Sequence, residues 1–142
     1  MAIQQVHHAD TSSSKVLGQL RGKRVLITGT TGFLGKVVLE KLIRAVPDIG
    51  AIYLLIRGNK RHPDARSRFL EEIATSSVFD RLREADSEAF DAFLEERIHC
   101  VTGEVTEAGF GIGQEDYRNL ATELDAVINS AASVNFREEL DK

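Results

Sequence analysis

Three glycines at intervals of three, Gly29, Gly32 and Gly35, separate the apolar run "RVLIT" (24–28) from the amphipathic run that begins at Phe33. A chain that leaves a strand, turns at once and enters a helix has few folds open to it, and the three glycines have separable jobs at such a corner. Gly29 permits the tight turn, Gly32 keeps a Cβ out of the way of an approaching pyrophosphate, and Gly35 lets the helix pack close to the strand. The helix N-terminus then presents unpaired N–H groups and a partial positive charge to an anion. Thr30 and Thr31 add hydroxyl donors. A Walker-type phosphate loop is excluded, because Gly35-Lys36 leads into Val37 rather than Ser or Thr.

Three further β-rich runs recur along the chain: "IYLLIR" (52–57), "IHCVT" (98–102) and "DAVINS" (125–130). None alternates cleanly between apolar and polar residues, as expected of strands buried on both faces of a parallel sheet. Helical patterns lie between them. Leu34, Val37, Val38, Leu42 and Ala45 form one stripe that ends at Pro47 and Gly50, and Tyr117, Leu120, Ala121 and Leu124 form another. The second crossover runs about 40 residues, from Gly58 to Arg97, and reads as two or three short helices, with Pro63 in the first turn of the earliest. The pattern predicts an α/β fold: a doubly wound parallel Rossmann sheet, incomplete at four strands, in the order 3-2-1-4.

A second glycine cluster, "GFGIG" (109–113), runs into "QEDY". The helix it opens carries Glu115 and Asp116 in its first turn, which repel phosphate, so the cluster reads as a structural loop. The formal net charge of −4 gives no general attraction for nucleic acid or anionic lipid, so any anion site has to be local. The single cysteine, Cys100, excludes an intramolecular disulfide and reads as a small hydrophobe. No stretch approaches the ~18 consecutive apolar residues of a membrane span, and the start lacks a secretory pattern, so the expectation is a cytoplasmic protein without a transmembrane segment. Residues 1–20 read as a flexible tail, in which His7, His8 and Asp10 are too few ligands for a metal site. Residues 21–142 read as the domain.

The end of the second strand distinguishes the nucleotides. An NAD-binding unit places a carboxylate there, about 20 residues past the glycines, to accept hydrogen bonds from the ribose hydroxyls. This chain has Arg57, 22 residues after Gly35. A guanidinium suits a 2′-phosphate, and "RGNKRHPDARSR" (57–68) holds five Lys/Arg against one Asp. NADPH is therefore the expected cofactor, with Arg66 as a second clamp. Ligands of such sheets bind outside the carboxyl ends of the strands. That places Glu104 where it can accept from the adenine amino group and Val105 against the ring, while Ala131 and Ala132 leave room for the nicotinamide ribose.

Together "VLITGTTGFLGKVVLEKLIR", "IYLLIRG", "VTGEV" and "INSAASVNFREEL" resemble the NADPH-binding half of alcohol-forming fatty acyl-CoA reductases, a branch of the extended short-chain dehydrogenase/reductases. The resemblance runs from about residue 20 to the end. It implies that Thr28, Gly29, Thr30, Thr31, Gly32, Phe33, Leu34 and Gly35 form the pyrophosphate loop and that Arg57 takes the 2′-phosphate. It also implies a long-chain acyl-CoA substrate, reduced through an aldehyde to the alcohol. The family usually has Asp where this chain has Glu104, a longer acid.

The family's catalytic Tyr-x-x-x-Lys is absent: the two tyrosines begin "YLLIR" and "YRNLA". No catalytic residue is assigned. His99 and Cys100 point to opposite faces of a strand and make no nucleophile pair. The chain thus reads as an N-terminal fragment of a larger reductase, expected to self-associate through the exposed edge of its fourth strand. The reductase domain of carboxylic-acid reductases or peptide synthetases, and a non-catalytic NADP-binding sensor, are the alternatives.

Overall fold

The computed structural model describes residues 15–132. The histidine-containing tail and the terminal "NFREELDK" lie outside the described residues. Four strands, β1 (Arg24–Thr28), β2 (Ala51–Ile56), β3 (Ile98–Thr102) and β4 (Ala126–Asn129), form one parallel sheet in the order β3-β2-β1-β4, as the sequence pattern predicts. Thr28 stands in register with Leu55 on one side and Asn129 on the other, so the carboxyl ends of β1, β2 and β4 finish level with one another.

The helices are α1 (Lys15–Gln19), α2 (Phe33–Ala45), α3 (Ala65–Arg68), α4 (Asp80–Ala85), α5 (Ser87–Arg97) and α6 (Gln114–Glu123). The first departs from the expected tail: Leu17, in α1, and Leu20, just after it, pack against the core, which gives this short segment a reason to be ordered. The main core lies on one sheet face. Val25, Ile27, Ile52, Leu54, Ile56 and Ile98 project there at every second position and meet Leu39, Leu42 and Ile43 of α2 with Phe69, Ile73 and Phe79 of the second crossover. Each such side chain contributes about 2 kcal/mol relative to exposure.

Three expectations are corrected. The buried face of α2 is centred on Leu39, Leu42 and Ile43, while Leu34 and Val37 of the anticipated stripe are exposed. Periodicity identifies an apolar stripe but not which part of it finds a neighbour. Only β1 and β2 are buried on both faces. β3 and β4 flank the sheet and are partly exposed, with Val127 open on β4, because they carry a strand on one side only. Pro63 precedes α3 rather than entering it, since Asp64 is the N-cap and its carboxylate accepts from the Ser67 N–H at 2.9 Å.

The long crossover is more irregular than two or three helices. From α3 the chain widens into one π turn (Phe69–Ile73), passes a 3-10 turn (Ser77–Phe79) and continues through α4 and α5. The turn buries Phe69 and Ile73 together, and Phe79 stacks on Phe90 of α5 at 5.9 Å. "GFGIG" is a structural loop, as expected: Gly109, Phe110 and Gly111 all take positive φ, and α6 follows with Glu115 and Asp116 in its first turn.

Candidate functional site

The corner after β1 has the geometry that its glycines foreshadow. Gly29 has φ +80°, and a Cβ there would stand 2.6 Å from the backbone nitrogen of Ala131. A Cβ on Gly35 would overlap the carbonyl of Gly29, so the third glycine is what lets α2 start beneath the turn. Gly32 differs from both. Among the described residues a Cβ there would touch nothing nearer than the Gly29 oxygen at 3.4 Å, an ordinary contact, so no described atom fills the space in front of it.

Gly32 is also the N-cap of α2, in extended backbone at φ −87° and ψ 167°, and, as a glycine, it makes no side-chain cap bond to the helix. The N–H groups of its first turn therefore face the same open space with the positive end of the helix behind them. Thr30 is buried, at 1% exposure, and its hydroxyl has no hydrogen-bond partner among the described residues. An unfilled cradle, an uncapped 13-residue helix and an orphaned buried hydroxyl fit a pyrophosphate. Thr31, Phe33 and Leu34 are exposed around the cradle.

The end of β4 is tied to this corner by bonds that sequence reasoning missed. The Thr28 hydroxyl donates to Asn129 Oδ1 at 2.5 Å, and the Ser130 hydroxyl donates to the Thr28 carbonyl at 2.6 Å. The Ala131 N–H reaches Asn129 Oδ1 at 3.3 Å. Polar residues directly after an apolar strand, level with another polar strand end, were the available signal. The latch leaves Ala131 half-buried against Gly29 and Ala132 exposed.

At the ends of β2 and β3 the structure brings together Arg57 and Glu104. Arg57 is open to solvent at 73% side-chain exposure, and one guanidinium nitrogen lies 3.1 Å from a Glu104 carboxylate oxygen. Glu104 is half-buried, and its N–H donates to the Phe110 carbonyl at 2.8 Å. Val105 beside it is exposed, at 37%. The Arg57 main chain is held too, because the Arg68 guanidinium donates to its carbonyl at 2.5 Å. Arg68 in turn pairs with Glu72, whose carboxylate also accepts from Asn59 at 2.9 Å. These donors hold the Glu72 carboxyl below the usual carboxylate range. The loop closes on itself through the Asn59 N–H to the His62 carbonyl at 2.8 Å and the His62 N–H to Asn59 Oδ1 at 2.6 Å.

Arg66 is engaged elsewhere. Its guanidinium donates to the Leu94 carbonyl and to Glu95 at 2.9 Å and lies over the Phe69 ring, joining α3 to α5. The position of a second cation beside Arg57 falls instead to Arg68, whose role is to hold backbone. Cys100 is half-buried, and burial pushes its thiol pKa up against the opposing pull of Arg66. His99 stacks on Tyr53 at 5.1 Å, with no relation to the thiol. Among the described residues no group of three His, Cys, Asp or Glu is placed to hold a metal ion, and no helix is long and apolar enough to cross a membrane.

Known proteins share this arrangement. The chain is 36% identical over 126 residues to the chloroplastic fatty acyl-CoA reductase 2 of Arabidopsis thaliana, covering 89% of this chain and 20% of that protein. It is 37% identical over 119 residues to fatty acyl-CoA reductase 1 of Mus musculus, covering 84% of this chain and 22% of the relative. The chain thus spans about a fifth of the length of these relatives. Among solved structures, the reductase domain of a non-ribosomal peptide synthetase from Mycobacterium tuberculosis superposes with a TM-score of 0.59 at 29% identity, over 90% of this chain and 29% of that one. The terminal R domain of the myxalamid pathway superposes at 0.55 and 28% identity, over 80% of this chain and 25% of that one. The sequence pattern of the Male sterility protein family, an NAD-binding domain, matches residues 27–142, the stretch that begins inside β1 and takes in the glycine corner, Arg57 and the β4 latch, and the chain belongs to that family.

Proposed function

We propose that this chain is the NADPH-binding part of an enzyme that reduces a long-chain acyl thioester, carried on coenzyme A, through an aldehyde to a fatty alcohol. The observation that carries the reading is the open space before Gly32 at an uncapped helix N-terminus. The α2 N–H groups and Thr30 receive the pyrophosphate, and the exposed donors of Arg57 receive the 2′-phosphate. Val105 packs on the adenine, and Ala131 and Ala132 make room for the nicotinamide ribose. NADPH supplies the hydride; these residues hold it and keep it oriented. Tyr53 and Tyr117 lack a lysine four positions on, so the proton donor for the reduced carbonyl lies outside the described residues. The fatty acyl-CoA reductases among its relatives support the coenzyme A thioester as substrate.

The likeness to reductase domains of peptide synthetases favours a second reading, a thioester presented on a carrier domain. Turnover of acyl-CoA against the same acyl group on a carrier protein, measured by NADPH oxidation in the full chain, separates the two. For the cofactor itself, Arg57→Asp is expected to weaken NADPH binding at least about tenfold while NADH binding changes little. Equal loss for both cofactors overturns the assignment of Arg57. We also propose that the 142-residue chain self-associates through the open edge of β4.

A further inference from the structure

We propose that Glu104 is a built-in competitor for Arg57 and sets how strongly the site prefers NADPH over NADH. This rests on the reading that Arg57 takes the 2′-phosphate. The contact is single-toothed: one Arg57 nitrogen meets one Glu104 oxygen at 3.1 Å, across the level ends of two neighbouring strands. Besides the adenine contact expected of it, two roles toward Arg57 are open to such a carboxylate. It can steady the guanidinium for the phosphate, or it can occupy it.

The surroundings decide for the second. Arg57 does not need Glu104 for order at its base, because Arg68 already holds its carbonyl and the loop after it is closed by Asn59 and His62. The Glu104 main chain is held independently, its N–H bonded to the Phe110 carbonyl, and its side chain is half-buried. What it adds is one negative charge within a guanidinium's width of the place where a 2′-phosphate, carrying close to two negative charges at neutral pH, has to settle. NADH brings only a hydroxyl to the same place and meets no repulsion. The reach of Glu matters as well, since an aspartate at 104 is one methylene shorter and draws the carboxylate back from Arg57.

An ion pair with one partner exposed is worth up to about a fivefold change in an equilibrium constant, which bounds the effect. Binding of NADPH and NADH to the full chain by titration calorimetry, with wild type, Glu104→Gln, Glu104→Asp, Arg57→Ala and the double variant Arg57→Ala/Glu104→Gln, tests the proposal. Glu104→Gln and Glu104→Asp are expected to raise the ratio of NADPH to NADH affinity about two- to fivefold, any change in the adenine contact being common to both cofactors, with that gain lost when Arg57 is absent. An unchanged or lowered NADPH-to-NADH affinity ratio in both Glu104 variants overturns the competitor role, as does a gain that persists without Arg57. If Arg57→Ala itself leaves NADPH binding intact, the failure is of the Arg57 assignment beneath it.

Discussion

The three glycines of the corner are alike in sequence and unlike in consequence. Alanine at Gly29 meets a positive φ that costs about 1–2 kcal/mol, with the Ala131 nitrogen in its path. Alanine at Gly35 drives a methyl group into the Gly29 carbonyl. Both variants are expected to melt well below wild type by calorimetry. Gly32→Ala is expected to melt within a few degrees of wild type and to lose NADPH binding at least about tenfold, since its methyl group meets no described atom closer than 3.4 Å and enters the space we propose for the pyrophosphate. A Gly32→Ala chain that binds normally removes the pyrophosphate from this corner. The backbone roles of Gly29 and Gly35 were legible in the sequence because spacing along one local turn carries them. The Thr28–Asn129 and Arg57–Glu104 contacts were not, because each joins residues brought together by strand order alone.

Arg66 shows the same limit at the scale of the element. As one of five cations in a short run, it read as a second phosphate ligand, yet it joins α3 to α5 through Leu94 and Glu95. Arg66→Ala is expected to destabilise the chain by about 1 kcal/mol, from one exposed pair and one backbone bond, and to leave NADPH affinity unchanged. A loss of affinity with no loss of melting temperature restores it to the cofactor site. The strands and α2 were readable from apolar runs long enough to show a period. The π turn at Phe69–Ile73 was not, because a single widened turn leaves the apolar spacing ambiguous between two periods and is set by what Phe69 and Ile73 pack against.

Taken whole, the molecule is lopsided. One sheet face is covered by α2 and the long crossover, while the other carries α6, which buries no residue fully, and among the described residues β4 pairs with β1 alone and leaves Val127 exposed. Sedimentation of the 142-residue chain is expected to show concentration-dependent association that Val127→Lys reduces; a clean monomer at all concentrations removes the proposal. Acid is a second global probe. Asp64, Glu72 and Asp125 are all held below the usual carboxylate range, Asp64 chiefly by the Ser67 N–H and Asp125 chiefly by the Arg24 N–H. Depressed carboxyls stabilise the fold above their unfolded-state pKa, and that contribution is lost as pH falls through the folded-state values. Melting temperature is therefore expected to drop below about pH 4. A flat profile from pH 6 to 3 contradicts it.

The loop from Arg57 to His62 is closed by its own hydrogen bonds and anchored through Arg68. At this loop the proposed cofactor therefore meets a surface already formed. Mixing experiments should record a single exponential whose rate climbs in proportion to concentration, with the speed of encounter, not of rearrangement, governing how fast the complex appears.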